Sequence, residues 1–420
     1  MLVSKRIVML AIVFAAVLVL VLPLFAACAP KAAPKPEVTS VRVASFQGLT
    51  GPAAVSSMEM YDFYVMYVKW INEEQGGISA GGKKYKIDWV TFDTGYTVPR
   101  AMVLLKQTSQ EGFPLLAMQS SSEVTALKPM IGSAKIPCFT GAIGEPVIVP
   151  PGWVYGVTPG YPAGFGLGID WIAKNWKESR PPNIGFLTWD SAYGRAIMTD
   201  ECLAYAKSKG CNIVGQEFHG AAPTDLTPQL MKLKDAGVDF IFSNNTSPQI
   251  DVMVRQAAEL GITPKVKLMA SVHSYEVNAL DRIGAKNGAG WMAVMDTPWF
   301  TDKNDPGAQL MNKMRAKYRP GETAFTKGPK SLPIIAVMKE VFKRTIEAVG
   351  PDKVTGANCK QYGIDTIKNW KDPDGILPAI SYAADDQVGL KKLRYMDVID
   401  GVPTITSDWV DVPPLGWGKK

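Results

Sequence analysis

Histidine is scarce in this chain. His219 and His273 are the only two histidines among 420 residues, and neither has cysteine or carboxylate partners at metal-ligand spacing. Because structural and catalytic metal sites draw several ligands from such spacings, we expect no metal site. No Ser-His-Asp set is evident either, so a candidate nucleophile and base are lacking. We therefore expect no enzymatic activity and no cofactor.

The chain also lacks a large excess of either positive or negative charge. The 45 Lys and Arg residues exceed the 39 Asp and Glu residues by only six, and the positive charges are scattered. A nucleic-acid-binding chain typically carries a basic patch and a much stronger positive charge. We therefore expect a small-molecule ligand or a protein partner, and no nucleic acid.

Long apolar runs are absent beyond the N-terminus, where Lys5 and Arg6 precede an uncharged stretch at 7–27 that ends in small residues. That order is typical of a secretory signal. No later stretch approaches the length of a membrane span. We predict a signal peptide at residues 1–27 and an extracytoplasmic mature chain.

Cysteine is sparse, and one of the five cysteines stands apart. Cys28 directly follows Ala26 and Ala27, where a signal peptidase would cut. The remaining four, which then lie in a compartment that permits disulfides, are Cys138, Cys202, Cys211 and Cys359. A helix and the strand returning beside it could bring the second and third together, and free thiols are the alternative.

After a linker at residues 28–39, strand-like and helix-like stretches alternate. The β-rich run VRVASF (41–46), for example, precedes apolar residues that recur at helical spacing from Met58 to Ile71. Such alternation implies parallel sheets covered by helices. A Pro- and Gly-rich passage from Gly144 to Pro162 is typical of a crossing between lobes.

We predict an α/β fold of two doubly wound parallel-sheet lobes joined by several chain crossings. The predicted N-terminal lobe comprises residues 40–157 plus 290–375, and the predicted C-terminal lobe comprises 158–289 plus 376–420. Ligands of such sheets bind at the carboxyl ends of the strands. A cleft between the lobes is therefore the expected binding site.

Three glycine motifs do not indicate chemistry. GISAG (77–81) matches G-x-S-x-G but follows a helix and precedes a strand, the reverse of a nucleophile elbow. The stretch 77–84 approximates a phosphate loop, yet Lys84 stands where Ser or Thr should hold magnesium. GFGLG (164–168) lacks the third glycine of a dinucleotide site.

The hydroxyl-rich loop SSS (120–122) leads from a predicted strand into a predicted helix. Hydroxyls beside the free amides of a helix start suit a ligand carboxylate. Simple capping of the helix by serine accounts for the same pattern, and the two interpretations are compatible.

Several stretches together resemble one known family over nearly the whole mature chain. They are GLTGPAA (48–54), INEEQGGI (71–78), SSS (120–122), WDSAYGRA (189–196), TDLTPQLMKLKDAGVDFIF (224–242) and SYAADDQVG (381–389). The family is that of the extracytoplasmic substrate-binding proteins of branched-chain amino-acid-type ABC importers, with the type I periplasmic fold. The resemblance implies a monomer that captures a small solute between closing lobes and delivers it to a membrane permease. A sensory module that signals to a membrane receptor is the alternative.

The resemblance also implies site residues in the first lobe. Ser120 matches the family serine that, with nearby backbone amides, binds the ligand carboxylate, and Ser121 and Ser122 accompany it. Thr140 and Gly141 follow the next strand.

In the second lobe, Tyr193 matches the tyrosine that approaches the ligand. Asn245 and Thr246 occupy the next loop, where the family places polar or aromatic side chains. An ordinary turn is the alternative for the last two.

Two departures from the family pattern bear on the ligand. Gly144 replaces the family's loop threonine, and SVHSYE (271–276) places His273 near the point where amino-acid binders have a carboxylate. A buried ammonium without a counter-charge is costly. Ser56 and Tyr161 further suggest a reshaped pocket, so a small carboxylate, an aromatic acid or an amide is expected.

The stretch LPLFAAC (22–28) resembles a bacterial lipoprotein signal, in which the cysteine after the cut carries lipid. Phe25 departs from the usual leucine, which leaves ordinary cleavage as the alternative. We predict lipidation of Cys28, which would anchor the chain to a membrane.

Overall fold

The computed structural model describes residues 39–275, 279–321 and 332–417. The predicted signal peptide, Cys28 and the linker up to residue 38 lie outside the described residues, as does Glu276 of the SVHSYE stretch.

The first lobe is built on a sheet that contains β1 Ser40–Gln47, β2 Ile78–Ala80, β3 Lys83–Asp93, β4 Leu115–Met118, β5 Cys138–Thr140 and β6 Val154–Gly156. Their spatial order is β2-β3-β1-β4-β5-β6. β1 pairs in parallel with β3 and β4, whereas β2 is an antiparallel edge strand. Apolar side chains on both faces of β1 are buried, which is typical of a parallel sheet covered by helices.

The second lobe is built on a larger sheet that contains β7 Asn183–Trp189, β8 Asn212–His219, β9 Phe240–Ser243, β10 Lys267–Ala270, β11 Trp291–Met295, β12 Lys392–Ile399, β13 Val402–Ile405 and β14 Val410–Asp411. The order is β13-β12-β11-β10-β9-β7-β8, with β14 beside β12. The strands from β7 to β11 are parallel, and the three C-terminal strands are antiparallel.

The described residues form these helices: α1 Ala54–Glu73, α2 Val98–Gln110, α3 Ser121–Ala134, α4 Glu145–Ile148, α5 Tyr161–Asn175, α6 Ala192–Arg195, α7 Asp200–Ser208, α8 Thr227–Asp235, α9 Gln249–Glu259, α10 Ala279–Ile283, α11 Pro306–Tyr318, α12 Leu332–Val349 and α13 Gly356–Asn358. The last is followed by a π turn, Cys359–Gly363. The predicted fold class, two lobes with mainly parallel sheets, is confirmed.

The buried face of α1 overlaps the predicted stripe in part. Met58 is 38% exposed, whereas Phe63, Tyr64 and Tyr67 are fully buried in the first core. Val68 and Ile71, at the end of the predicted stripe, are buried in the same core. The aromatic side chains add to this face because they bury a large apolar surface.

Three segments connect the lobes, at residues 157–160, 296–305 and 390–391. Phe300, in the second segment, packs against the cores of both lobes. Near the C-terminus, Trp417 donates a hydrogen bond from Nε1 to the carbonyl oxygen of Pro159 over 2.8 Å. The lobes are therefore joined along one side.

Two predicted lobe boundaries differ from the structure. β11 pairs with β10 in the second sheet, so residues 290–295 belong to the second lobe. Val388 pairs beside Gly156 at the edge of the first sheet, which places residues 376–389 with the first lobe. The helical stretch after β7 is divided into α6 and α7, because Thr199 caps α7 by accepting a hydrogen bond from the backbone of Cys202 over 3.3 Å.

Cys138, Cys202, Cys211 and Cys359 are all buried free thiols. Burial raises the pKa of the Cys202 and Cys211 thiols to about 11. In the described part of the chain, no helix combines the length and apolar content needed to cross a membrane. Nor does any group of three His, Cys, Asp or Glu side chains in those residues come together as a metal site could require.

Candidate functional site

A small pocket lies between the lobes, where the strands of both sheets end. We call it the cleft pocket. From the first lobe it is lined by Ala53, Ser56, Ser57, Met60, Tyr96, Gln119 and Ser121. The start of α5 contributes Tyr161, and the second lobe contributes Tyr193, Thr246 and His273. Among these lining residues there is no Asp, Glu, Lys or Arg, so the walls present hydroxyls, one amide, one imidazole and aromatic rings.

The start of α3 separates the three serines of the SSS loop. Ser120 caps the helix, since its Oγ accepts a hydrogen bond from the backbone N–H of Glu123 over 3.3 Å. Ser121 lines the cleft pocket, and its Oγ lies 3.5 Å from the Tyr161 hydroxyl. Ser122 is exposed and lies outside the pocket wall. Ser120 thus caps the helix, whereas Ser121 contacts the cleft pocket.

The same helix start already contains a carboxyl group. Glu123 is almost fully buried, and its Oε1 has no hydrogen-bond partner. Burial raises the pKa of Glu123 to about 7. A hydrogen bond from Thr94 lowers this pKa, and the negative charge of Asp93 raises it. A ligand carboxylate at this helix start would therefore meet a buried carboxyl group whose ionisation is disfavoured.

The loop after β5 contacts the second lobe directly. Thr140 is buried, and its Oγ1 accepts a hydrogen bond from the backbone of Ala142 over 2.9 Å. The carbonyl oxygen of Gly141 accepts a hydrogen bond from His273 Nε2 over 3.0 Å, which joins the lobes. A Cβ atom on Gly144 would lie 3.4 Å from the Ala196 side chain, so the absence of threonine here fits the close approach of the second lobe. Thr140 and Gly141 thus shape this contact and do not line the pocket.

Tyr193 is held by hydrogen bonds within its own lobe. Its hydroxyl lies 3.0 Å from Ser271 Oγ and 3.1 Å from Ser274 Oγ. The next residue must be glycine, since a Cβ atom on Gly194 would lie 1.7 Å from the carbonyl oxygen of Trp189. The turn therefore places Tyr193 at the cleft pocket, with its hydroxyl beside Ser271 and Ser274.

Asn245 and Thr246 differ in position although they are adjacent. Asn245 is fully buried, and its Oδ1 accepts hydrogen bonds from the backbone of Trp189 over 2.7 Å and from His219 over 3.0 Å. Thr246 lines the cleft pocket and donates from Oγ1 to Gln249 over 3.0 Å. The first residue thus supports the loop, and the second faces the cleft.

Tyr96 and Gln119 line the pocket but were not predicted from the sequence. Tyr96 stacks on Trp189 of the other lobe with ring centroids 5.9 Å apart, and burial raises the pKa of Tyr96 to about 12. Gln119 donates a hydrogen bond to the Tyr64 hydroxyl. Both residues lie in loops that follow strands of the first lobe. The SSS loop was selected from the sequence because it follows a predicted strand, and the same criterion would also have selected Tyr96 and Gln119.

An ion pair bridges the lobes near the cleft. Glu59 on α1 lies 3.7 Å from Arg282 on α10, which also pairs with Asp251 of its own lobe over 2.6 Å. The Glu59 carboxylate is 8% exposed, so its attraction to the other lobe is only partly screened by water.

Comparisons with known proteins agree with this architecture. A family model described as a periplasmic binding protein matches residues 40–400. A leucine-, isoleucine-, valine-, threonine- and alanine-binding protein of Pseudomonas aeruginosa is 25% identical over 189 residues, which are 44% of this chain and 47% of that protein. The chain thus matches about half the length of this curated relative.

Solved structures resemble the whole described fold. A branched-chain amino-acid ABC transporter protein from Thermus thermophilus with bound valine has a TM-score of 0.77 at 18% identity, covering 89% of this chain and 96% of that one. A fatty acid ABC transporter substrate-binding protein from Thermomonospora curvata has a TM-score of 0.74 at 15% identity, covering 91% and 95%.

Replacing Glu123 with glutamine should stabilise the protein at alkaline pH. The folded state holds the proton more tightly than the unfolded state, so the wild type loses stability as pH rises from 4.5 through about 7. Glu123→Gln cannot ionise and should be more stable than wild type at pH 8 by up to about 3 kcal/mol. Urea unfolding at pH 4 and pH 8 measures this. Equal stability of the two proteins at pH 8 would contradict the burial of a charged carboxylate.

Removing the charge of Glu59 should favour the open arrangement of the lobes. Glu59→Gln keeps the shape of the side chain but loses its attraction to Arg282, which is worth about 0.5–1 kcal/mol for a partly exposed pair. Small-angle X-ray scattering of the ligand-free protein should show a larger radius of gyration. Glu340→Gln is the matched control, because Glu340 pairs with Arg344 on the same helix over 2.6 Å. An equal change in both variants would show that the bridge between lobes has no special role.

Proposed function

Because the chain belongs to the periplasmic binding protein family, we propose that it is the extracytoplasmic solute-binding component of an ABC importer. The observation that carries the proposal is the cleft pocket, whose walls come from both lobes and from a chain crossing. A solute in this pocket would touch both lobes at once. The protein would capture the solute and deliver it to a membrane permease, without catalysis of its own.

Closure of the lobes is the physical basis of capture. Contacts that exist only when the lobes meet, such as His273 with Gly141 and Tyr96 with Trp189, favour the closed state. A ligand adds contacts to both walls and shifts the population further toward closure. The permease would then distinguish a loaded from an empty protein by its shape.

The proposed ligand is a small carboxylate, an aromatic acid or an amide. Among the residues that the structure describes, which exclude Glu276, the pocket lining offers no carboxylate to pair with an ammonium group, and His273 donates from Nε2 to the first lobe. An unpaired buried ammonium is costly, whereas hydroxyl and amide groups can bind a carboxylate or an amide. The named relatives bind amino acids in two cases and a fatty acid in the third, so an acid without an ammonium group is compatible with the fold.

Within the pocket, we assign direct ligand contacts to Ser121, Tyr193, Thr246 and His273, which line it. Ser120 would act indirectly, because its side chain caps α3 and so orients the amides of the first turn. The remaining predicted residues, Ser122, Thr140, Gly141 and Asn245, would support the site from outside its wall.

The protein would work as a monomer close to its permease. Cys28 follows the predicted signal peptide, and the Ala-, Pro- and Lys-rich linker up to residue 39 suits an extended spacer. One acyl chain binds a membrane weakly and two or more bind stably, so a multiply acylated Cys28 is proposed.

Ser121 should contribute to ligand binding, and Ser122 should not. A thermal-shift screen against amino acids, short carboxylates, aromatic acids and amides first identifies the ligand, which should stabilise the protein by a few kcal/mol when far above its dissociation constant. Ser121→Ala should then weaken binding by about tenfold through the loss of one buried hydrogen bond. Ser122→Ala is the matched control, since Ser122 is the next residue of the same helix turn but is exposed.

Calorimetric titration of both variants decides the outcome. Equal ligand affinities of the two variants would show that Ser121 does not contribute to binding. If leucine or valine gave the largest thermal shift, the proposed ligand class would be wrong, because both carry an ammonium group, for which the described residues of the pocket wall offer no carboxylate.

Removing the thiol of Cys28 should release the protein from the membrane. Cys28→Ala leaves no site for the thioether and acyl chains, so the variant should appear in the soluble fraction after cell fractionation. Immunoblotting against the wild type measures the distribution. A variant that is still processed and remains in the membrane fraction would contradict the anchor.

A further inference from the structure

The last described residues of the chain contact two of the three segments that cross between the lobes. We call residues 412–417 the strap. At its start, the N–H of Val412 donates to the carbonyl oxygen of Lys391, in the third crossing, over 3.1 Å. At its end, Trp417 Nε1 donates to the carbonyl oxygen of Pro159, in the first crossing, over 2.8 Å. The strap therefore connects two crossings that are far apart in sequence.

Close contacts with the second lobe fix the path of the strap. A Cβ atom on Gly166 of α5 would lie 2.5 Å from Pro413 and 2.6 Å from Leu415, so glycine is needed where the strap passes the helix. Gly416 has a positive φ of 73°, which favours glycine, and its N–H donates to a carboxylate oxygen of Glu201 on α7 over 2.7 Å. Two successive prolines also restrict the backbone of the strap. The strap is therefore held in one conformation against this lobe.

Trp417 contacts the cores of both lobes. Its half-buried ring packs against the first-lobe core cluster that includes Val388 and against the second-lobe cluster that includes Leu393. The Nζ atom of Lys391 lies 4.0 Å from the centroid of the same ring, within the range of a cation–π contact. One side chain thus contacts both lobes and two crossings.

We propose that Trp417 is a positioning residue for solute capture, through which the strap stabilises the closed arrangement of the lobes. The lobes meet across the cleft in this structure, where His273 donates a hydrogen bond to Gly141. Opening would rotate the lobes about the crossings, and the Trp417 ring would then leave one of the two cores that it contacts. Trp417 does not line the cleft pocket, so it acts without touching the solute.

The effect of the strap on solute affinity rests on the proposed function of the cleft pocket. A solute that binds the closed state has an apparent dissociation constant that rises as the closed population falls. Trp417→Ala removes the hydrogen bond to Pro159 and the contact with Lys391. The loss of one hydrogen bond and one cation–π contact corresponds to a change of up to about tenfold in the ratio of closed to open protein.

Small-angle X-ray scattering of the ligand-free protein tests the strap. Trp417→Ala should have a larger radius of gyration than the wild type. Trp417→Phe keeps an aromatic ring and loses the Nε1 donor, so its radius should be intermediate. If Trp417→Ala does not fold, the comparison of Trp417→Phe with the wild type decides the result.

Trp176→Ala is the matched control. Trp176 also donates from Nε1 to a carbonyl oxygen, that of Arg180, over 2.7 Å, and the Arg180 guanidinium lies 5.0 Å from its ring centroid. Its ring packs against a core cluster of the second lobe. Trp176→Ala should therefore unfold at a lower urea concentration than the wild type and keep the wild-type radius of gyration.

Calorimetric titration with propionate and propionamide measures the effect on affinity. These probes are a short carboxylate and its amide, both within the proposed ligand class. Trp417→Ala should weaken the binding of either probe by up to about tenfold, whereas Trp176→Ala should leave it unchanged.

The outcomes separate the strap from the proposed function. An unchanged radius of gyration in Trp417→Ala, or an unchanged dissociation constant for a probe that binds the wild type, would overturn the role of the strap and leave solute capture in place. If neither probe binds the wild type, short carboxylates and their amides are wrong as ligands. The scattering result then decides the role of the strap alone, because it requires no ligand.

Discussion

Gly156 holds two chain crossings side by side, and the arrangement of the lobes depends on it. Its N–H donates to the carbonyl oxygen of Gln387 over 2.7 Å, and its own carbonyl oxygen accepts from the N–H of Gly389 over 2.9 Å. A side chain at this position would collide with Ile143, because a Cβ atom would lie 2.2 Å from its Cδ1. The chain that leaves the first lobe is thereby paired with the chain that returns to the second. Relative motion of the lobes must accordingly bend these segments together.

The charge distribution around the cleft determines what can enter it. Among the described residues, no Asp, Glu, Lys or Arg lies in the wall of the cleft pocket, and two carboxyl groups lie near it, Glu123 at the start of α3 and Glu59 at the bridge to Arg282. The first opposes an anion unless it is protonated, and the second is already paired. A neutral or weakly acidic solute would therefore meet less electrostatic opposition than a zwitterion, whose ammonium group would have no carboxylate partner among the described residues of the wall.

The strands and helices could be predicted from the sequence better than the buried face of a helix or the position of a single side chain. Alternating strand and helix patterns were sufficient for both sheets, because burial between helices leaves a strong apolar signal in parallel strands. The sequence-based prediction placed β11 in the first lobe, but β11 pairs with β10 in the second sheet. The apolar pattern of a strand does not indicate which sheet the strand joins. Among the three serines, capping by Ser120 followed from local rules, but only the direction of the folded helix distinguishes Ser121 from Ser122. Tyr96 was missed because its contact with Trp189 joins residues far apart in sequence.

Tyr161 and Tyr193 link the pocket to the crossing that Gly156 begins. Tyr161 opens α5 immediately after the crossing, and its ring meets that of Tyr193 edge to face at 4.8 Å. Its hydroxyl also lies 3.5 Å from Ser121 in the first lobe. A solute that displaces either ring therefore acts on the segment that must bend during closure. Because both rings are buried and packed, such a displacement requires neighbouring side chains to move with them, which favours two discrete arrangements over a continuous range.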